Sequence, residues 1–209
     1  MSILRKPFRY ANWNTTFILI GINLAVFLLT EWNDNFVAYL SLNPVLVTKY
    51  HWYWQIFTYQ FVHGGMGHLL SNMIGLFFFG FTLERRIGSK EFLLVYLLSG
   101  TLCGLFSLII YLATGTMKVM LMGASGAVFA ILLMYAVFFP RSTIYLWWII
   151  PVPAPLLIIG YAAIETFYMV SGRNQGVAHS THLIGFAIAW IYCLVRFGVN
   201  PLKVWFGRR

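Results

Sequence analysis

The sequence predicts an all-α polytopic membrane protein in which six helices cross the bilayer. Of its 209 residues, 60% are hydrophobic and only 9% are charged, and the mean hydropathy is +0.79. Its apolar stretches are too long and too continuous for the core of a soluble protein. The net charge of +9 does not indicate nucleic-acid binding, because the basic residues stand singly or in pairs between apolar stretches, as topology signals do.

Six apolar stretches are the predicted membrane spans: residues 15–29, 67–83, 92–113, 125–139, 155–170 and 182–197. The connections between them leave no room for a separate soluble domain. Residues 1–209 are therefore predicted to form one membrane domain with two short cytoplasmic tails, residues 1–13 and 198–209.

The distribution of lysine and arginine predicts the orientation in the bilayer. With a cytoplasmic N-terminus, all but three of the 14 basic residues face the cytoplasm, the exceptions being Lys49, Lys118 and Arg173. Both termini are then cytoplasmic, and the second, fourth and sixth spans begin at the outer face. Residues 1–13 carry no signal-peptide or transit-peptide pattern, which favours a bacterial inner (plasma) membrane.

The longest connection, residues 30–66, is expected to be embedded in the outer leaflet. It is rich in aromatic rings and poor in charge, a composition that favours the headgroup boundary, where rings are buried while their polar atoms stay hydrated. An extracytoplasmic binding surface is the alternative interpretation. The rings are those of Tyr50, Trp52, Tyr53, Trp54, Phe57, Tyr59 and Phe61.

The fourth span is too short to cross the bilayer. A helix of about 15 residues is about 22 Å long, against a hydrocarbon thickness of about 30 Å. Its start at Ser125 is therefore expected below the outer surface, with irregular backbone before it lining a watered cavity. Gly123 and Gly126 allow close backbone approach, and the N–H groups at this helix start, including those of Gly123 and Ser125, suit a developing oxyanion.

Polar side chains from three spans are predicted to meet at this depth. His68 and Asn72 are four residues apart and so share one face of the second span. Ser125 begins the fourth span and His182 begins the sixth. Alone, such a serine is an ordinary N-cap and a membrane histidine is usually a packing residue. Their convergence favours a site in which Ser125 is the nucleophile and His182 its general base.

Small residues predict close contact between the fourth and sixth spans. Gly185 and Ala189 lie on the same helix face as His182, and Gly126 begins a small-xxx-small pair on the fourth span. Two helix faces lined by small residues are expected to pack closely, which places Ser125 opposite His182.

A stacked ring rather than an acidic residue is expected to orient the base. The only aspartate, Asp34, lies in the first loop, so serine and histidine are predicted to act as a dyad. Phe129, one turn beyond Ser125, is placed to hold the imidazole of His182 by stacking. His179, nearer the outer loop, is the competing base.

Two glutamates receive different interpretations. Glu84, at the cytoplasmic end of the second span, is interpreted as structural, because it can accept hydrogen bonds from loop amides or pair with an adjacent arginine. Glu165, near the outer end of the fifth span, either tunes the site or only hydrogen-bonds a loop or another helix.

The motifs of the chain resemble, in order and spacing, those of the rhomboid intramembrane serine proteases in their basic six-span bacterial form. The motifs are HGGMGHLLSN at residues 63–72, LERRIG at 83–88, GASG at 123–126 and AHSTHLIG at 178–185. The resemblance implies that Ser125 is the nucleophile, that His182 is the base, and that the oxyanion hole is formed by His68, Asn72 and the Ser125 backbone N–H. It also implies cleavage of single-span or multi-span membrane protein substrates near their extracytoplasmic ends.

Two residues depart from the family pattern. Ile184 and Ala189 stand where the family usually has glycine, and their extra bulk is expected to widen or shift the packing of the fourth and sixth spans.

Other functions fit the sequence less well. An aspartyl protease needs two aspartates, and a zinc protease needs a His-Glu-x-x-His run that the chain lacks. No carboxylate or thiolate is evident beside the histidines at positions 63, 68, 179 and 182, so neither a metal nor a cofactor is predicted. An inactive rhomboid-like protein that binds membrane clients is the alternative, and such proteins typically lack the serine or the histidine.

Overall fold

The fold contains six apolar helical stretches, as the sequence predicts. The structure, a computed structural model, describes residues 5–6, 8–146, 149–172 and 178–207. Five of the six stretches are long and apolar enough to cross a membrane. The remaining one, the fourth in chain order, is a shorter apolar helix. Arg173, Arg208 and Arg209, which contribute to the predicted orientation, lie outside the described residues. The stretches are Thr15–Trp32 (α1), Met66–Ile87, Ser89–Thr114 (α7), Ser125–Phe138 (α8), Ala154–Ser171 (α9) and His179–Phe197.

Two of the spans contain a π-helical turn. The second consists of α5 (Met66–Gly75), the π turn Leu76–Gly80 and α6 (Phe81–Ile87). In the last, α10 (His179–Tyr192) continues into the π turn Cys193–Phe197, and the short helix α11 (Pro201–Phe206) follows.

The first loop packs against the segment that leads into α8. Leu42 and Leu121 exchange two backbone hydrogen bonds of 2.9 Å, and the Tyr59 hydroxyl donates to the carbonyl of Gly100 on α7. These contacts hold the backbone four residues before Ser125. The loop contains three short α-helices and a 3-10 turn: α2 (Asn35–Leu40), α3 (Pro44–Lys49), α4 (Gln55–Thr58) and the turn Tyr59–Phe61.

A short β-hairpin, which the all-helical prediction did not include, precedes α9. Strands β1 (Thr143–Leu146) and β2 (Ile150–Pro153) pair antiparallel with Thr143 opposite Pro153. The sequence indicated only that this proline-rich segment is not helical. Prolines are tolerated in β2 because both strands of a two-stranded sheet are edge strands, where a missing N–H breaks no central ladder.

The short helix α8 lies at the centre of the core. Ala130, Ile131 and Met134 are fully buried, as expected for a helix that is apolar on all sides. Helix α10 packs directly on it: a Cβ atom built on Gly185 would lie 2.3 Å from the carbonyl oxygen of Gly126. The predicted close contact between the two spans is therefore present, with backbone against backbone.

Glu84 joins three helices at the end of the bundle opposite the first loop. Its carboxylate accepts hydrogen bonds from the backbone N–H groups of Thr15 (2.6 Å) and Thr16 (2.9 Å), which begin α1. It also accepts from the hydroxyls of Thr16 (2.8 Å) and Ser89 (2.5 Å), the latter at the start of α7. The predicted structural role of Glu84 is thus confirmed, with the first two N–H groups of α1 and two hydroxyls as its partners.

Replacing Glu84 by alanine is expected to destabilise the protein. The substitution leaves two buried N–H groups of α1 without an acceptor, at a cost of roughly 1–3 kcal/mol for each unsatisfied group. Thermal unfolding in detergent should show a clearly lower midpoint for Glu84→Ala. The matched control is Glu31→Ala, which removes an exposed glutamate from α1 and should melt like wild type. Equal melting of Glu84→Ala and Glu31→Ala would contradict this role.

Adding a single methyl group at Gly185 is expected to separate α8 from α10. The atom that blocks the methyl is a backbone oxygen, so no side-chain rotation relieves the clash, and overpacking of this kind costs about 1–3 kcal/mol. Gly185→Ala should lower the melting midpoint, whereas Gly160→Ala on α9, where a Cβ meets nothing within 4 Å, should not. A Gly185→Ala variant as stable as Gly160→Ala would show that the helices do not touch in this way.

Candidate active site

The start of α8 presents Ser125 at the end of an irregular segment. Residues 116–124 contain no helix, as predicted, and the backbone of Gly123 has a φ of +118°, a conformation that favours glycine. Helix α8 begins at Ser125, whose N–H, as the first of the helix, has no intrahelical acceptor. The serine side chain is half-buried.

Ser125 and His182 are within hydrogen-bond distance. The Oγ atom of Ser125 lies 2.8 Å from Nε2 of His182. The imidazole stacks on the ring of Phe129, with centroids 4.2 Å apart and planes inclined by 14°. The predicted serine–histidine pair and its stacking partner therefore come together. Helices α8 and α10 meet through Gly126 and Gly185. The expected effect of Ile184 and Ala189 on this packing stays a prediction.

Three of the four predicted oxyanion-hole residues, His68, Asn72 and Ser125, line the same cavity as His182, and the fourth, Gly123, differs from the prediction. His68 packs on Gly123, where a Cβ would lie 2.6 Å from two atoms of the imidazole. The Gly123 N–H donates to the carbonyl of Tyr59 at 3.1 Å. The expectation that Gly123 supplies a donor is therefore corrected: its N–H is already paired, and its contribution is the space it leaves for His68.

Asn72 is buried behind His68 on α5. Its Nδ2 atom donates to the backbone carbonyl of His68 at 2.8 Å, one turn earlier. An amide carries two hydrogens, so one remains for a group in the cavity. The side chain is thus held in place by one hydrogen bond while it keeps a second donor.

His63 contacts His68 from the loop that precedes α5. The two rings meet edge to face with centroids 5.1 Å apart. Burial, followed by the proximity of His68, lowers the pKa of His63 to about 4, so the ring is neutral at neutral pH. His63 therefore adds no positive charge beside the site.

A cavity of about 1130 Å³ is lined by Ser125, His182, His68 and Asn72. It extends from the serine and histidine along α8, between α5 and α9, as far as β1. Lining residues at its far end include Phe79, Ile144 and Tyr161. The cavity is thus an elongated cleft with polar groups at one end and mostly apolar walls at the other.

Glu165 lies near the outer end of the fifth span, as expected, but its contact with two histidines was not predicted. Its Oε1 atom lies 3.0 Å from Nδ1 of His182, and its Oε2 atom lies 2.5 Å from Nδ1 of His179. The expectation that the histidines have no carboxylate beside them is therefore wrong. A usable signal was present, since the predicted orientation puts Glu165 and both histidines near the outer ends of neighbouring spans.

These three side chains also offer one metal-ligand atom each within 4.8 Å of one another. Two donors on one tetrahedral zinc, at 2.0–2.1 Å each, lie about 3.3 Å apart. The 2.5 Å between Glu165 and His179 leaves room for a shared proton rather than for a metal ion. The geometry therefore favours a hydrogen-bonded cluster.

The chain is similar to several curated proteins. It is 40% identical over 150 residues to RHOMBOID-like protein 12, mitochondrial, of Arabidopsis thaliana, covering 65% of this chain and 44% of that protein. It is 31% identical over 176 residues to RHOMBOID-like protein 1 of the same plant, covering 81% and 41%. It is 30% identical over 123 residues to Rhomboid protease GluP of Bacillus subtilis, covering 56% and 23%. The chain spans less than half the length of each of these relatives.

A sequence model described as the Rhomboid domain matches residues 50–198, well over half of the chain. The matched range contains all of the site residues described above, from His63 to Ala189. The family suggested by the four motifs is thereby confirmed. The chain belongs to the rhomboid family.

Proposed function

We propose that the protein is an intramembrane serine endopeptidase that cleaves membrane protein substrates near their extracytoplasmic ends. The observation that carries this proposal is the 2.8 Å approach of Ser125 Oγ to His182 Nε2 inside a cleft. Two relatives are themselves named as rhomboid proteases, Rhomboid protease GluP and Putative rhomboid protease YdcA of Bacillus subtilis. Both reacting side chains are present, which favours an enzyme over an inactive client-binding protein.

The proposed reaction is acyl transfer. His182 Nε2 takes the proton of the Ser125 hydroxyl while Oγ attacks the carbonyl carbon of the scissile peptide. The protonated imidazole then gives that proton to the leaving amine nitrogen, and the C–N bond breaks to leave an ester on Ser125. Water, deprotonated by the same imidazole, hydrolyses the ester and returns the serine hydroxyl.

Donors for the developing oxyanion are available around Ser125. The backbone N–H of Ser125 stands at the positive end of α8, and His68 and the second amide hydrogen of Asn72 border the same cavity. Three donors, from helices α5 and α8, are thus available to the oxygen of a tetrahedral intermediate.

The cleft supports a membrane protein as substrate. Its apolar part runs along α8 between α5 and α9, which suits an extended apolar segment that enters from the side. The lysine and arginine distribution supports an orientation with both termini cytoplasmic. In a bacterial plasma membrane this puts the site toward the extracytoplasmic side.

A fluorophosphonate serine-hydrolase probe tests the nucleophile. We expect covalent labelling of the folded wild-type protein in detergent, no labelling of Ser125→Ala, and labelling slowed by about 10³-fold or more in His182→Ala. Mass spectrometry of the labelled protein locates the adduct. The matched control is Ser71→Ala, which removes another serine hydroxyl from the cavity lining and should label like wild type. A folded wild type that does not label would favour the client-binding alternative.

Removal of an oxyanion donor should lower turnover more than binding. We expect Asn72→Ala and His68→Ala to reduce kcat by about 10²- to 10³-fold with little change in KM, because the lost hydrogen bond forms only in the transition state. The measurement is reconstituted proteolysis of a panel of single-span membrane proteins, applied to any member that wild type cleaves. Wild-type kcat in both variants would exclude them from the oxyanion hole.

A further inference from the structure

We propose that Glu165 is a positioning residue for His182, so that the proposed dyad works as a Ser125–His182–Glu165 triad. The inference rests on the proposed function, since it concerns the same base. Glu165 comes from α9, whereas the serine and histidine come from α8 and α10, so the three groups join three separate helices. Two contacts connect the three side chains. Ser125 Oγ lies 2.8 Å from His182 Nε2, and His182 Nδ1 lies 3.0 Å from Glu165 Oε1.

The buried carboxylate of Glu165 needs polar partners that offset the free-energy cost of removing it from water. Its side chain is only 10% exposed in a helix that is otherwise rich in apolar residues. An ionised carboxylate in such surroundings is unfavourable unless it is paired and hydrogen-bonded. Its partners in the described part of the chain are the two imidazoles of α10. These contacts hold the Glu165 carboxylate beside the imidazole of His182.

The protonation required of His182 explains the position of the carboxylate. A general base that takes the Ser125 proton at Nε2 must carry its own ring proton at Nδ1. That nitrogen lies beside Glu165 Oε1, so the carboxylate favours the productive tautomer. When the ring becomes doubly protonated during the reaction, the adjacent negative charge stabilises it.

A second histidine fixes the carboxylate. His179 Nδ1 lies 2.5 Å from Oε2, and the ring of His179 stacks on Tyr168 of α9, with centroids 5.3 Å apart. His179 and His182 are three residues apart and share one face of α10. Glu165 therefore bridges both imidazoles, and the residue considered as a competing base instead anchors the acid.

The orientation of His182 is set from two directions. Phe129 stacks on the face of the ring and fixes its plane, and Glu165 lies at its Nδ1 edge and selects the rotation within that plane. The Nδ1 proton does not point straight at Oε1 in this structure, since this nitrogen makes no well-aligned hydrogen bond. Catalytic hydrogen bonds commonly tighten only when the substrate is bound.

Two measurements test this role: the reactivity of Ser125 and the tautomer of His182. We expect Glu165→Leu to slow fluorophosphonate labelling of Ser125 by about 100-fold, and Glu165→Asp to restore part of the rate. Nitrogen-15 NMR of histidine-labelled protein, with the His182 signals assigned from His182→Gln, should show the Nδ1–H form in wild type and a mixture of tautomers in Glu165→Leu. The NMR readout does not depend on turnover, and a merely structural role would not change it.

The matched control is Glu91→Gln. Glu91 is another buried glutamate, paired with Arg196 at 2.7 Å and hydrogen-bonded by Tyr192. Its substitution should lower the melting midpoint while the labelling rate and the His182 tautomer stay at their wild-type values.

Each outcome separates this inference from the proposed function. If Glu165→Leu keeps the wild-type tautomer, or labels at the wild-type rate per folded molecule, the positioning role is overturned while the serine hydrolase assignment stands. If folded wild type does not label but Glu165→Leu still changes the tautomer, the positioning role stands and the endopeptidase proposal fails.

Discussion

The backbone contact between Gly126 and Gly185 is the constraint on which the site depends. It brings α8 and α10 closer than any pair of side chains would allow, and this closeness leaves Ser125 Oγ and His182 Nε2 2.8 Å apart. Membrane helices gain little from the hydrophobic effect when they associate, so packing of small residues and interhelical hydrogen bonds must hold them together. The same faces of α8 and α10 therefore carry both the close backbone packing and the Ser125–His182 pair.

Buried glutamates supply most of the polar links between helices. Of the five acidic residues in the chain, three are buried, and each joins separate parts of the bundle. Glu84 caps α1 and contacts the start of α7, Glu91 links α7 to the last span, and Glu165 links α9 to α10. Because an unpaired carboxylate is costly in an apolar interior, each of these residues also specifies which helices pack together.

Much of the site could be predicted because its residues lie at helix starts. Ser125 and His182 each begin a span or nearly so, and the four-residue spacing of His68 and Asn72 gives one helix face. The predicted topology then puts these residues at one depth in the membrane. The role of Gly123 was harder to predict, since the pairing of its N–H with Tyr59 depends on how the first loop folds back. The hairpin formed by β1 and β2 was missed for a similar reason, because neither strand has a recognisable period of its own.

The sequence by itself determined the number and order of the apolar spans, the family motifs and the side chains available for chemistry. These follow from local hydrophobicity and from residue spacing along a regular helix. Only the tertiary structure decided that Glu165 reaches His182 and His179. A carboxylate on α9 contacts α10 only if α9 has a particular rotation about its own axis. That rotation is set by packing among several helices, so the hydrophobic periodicity of any single helix does not reveal it.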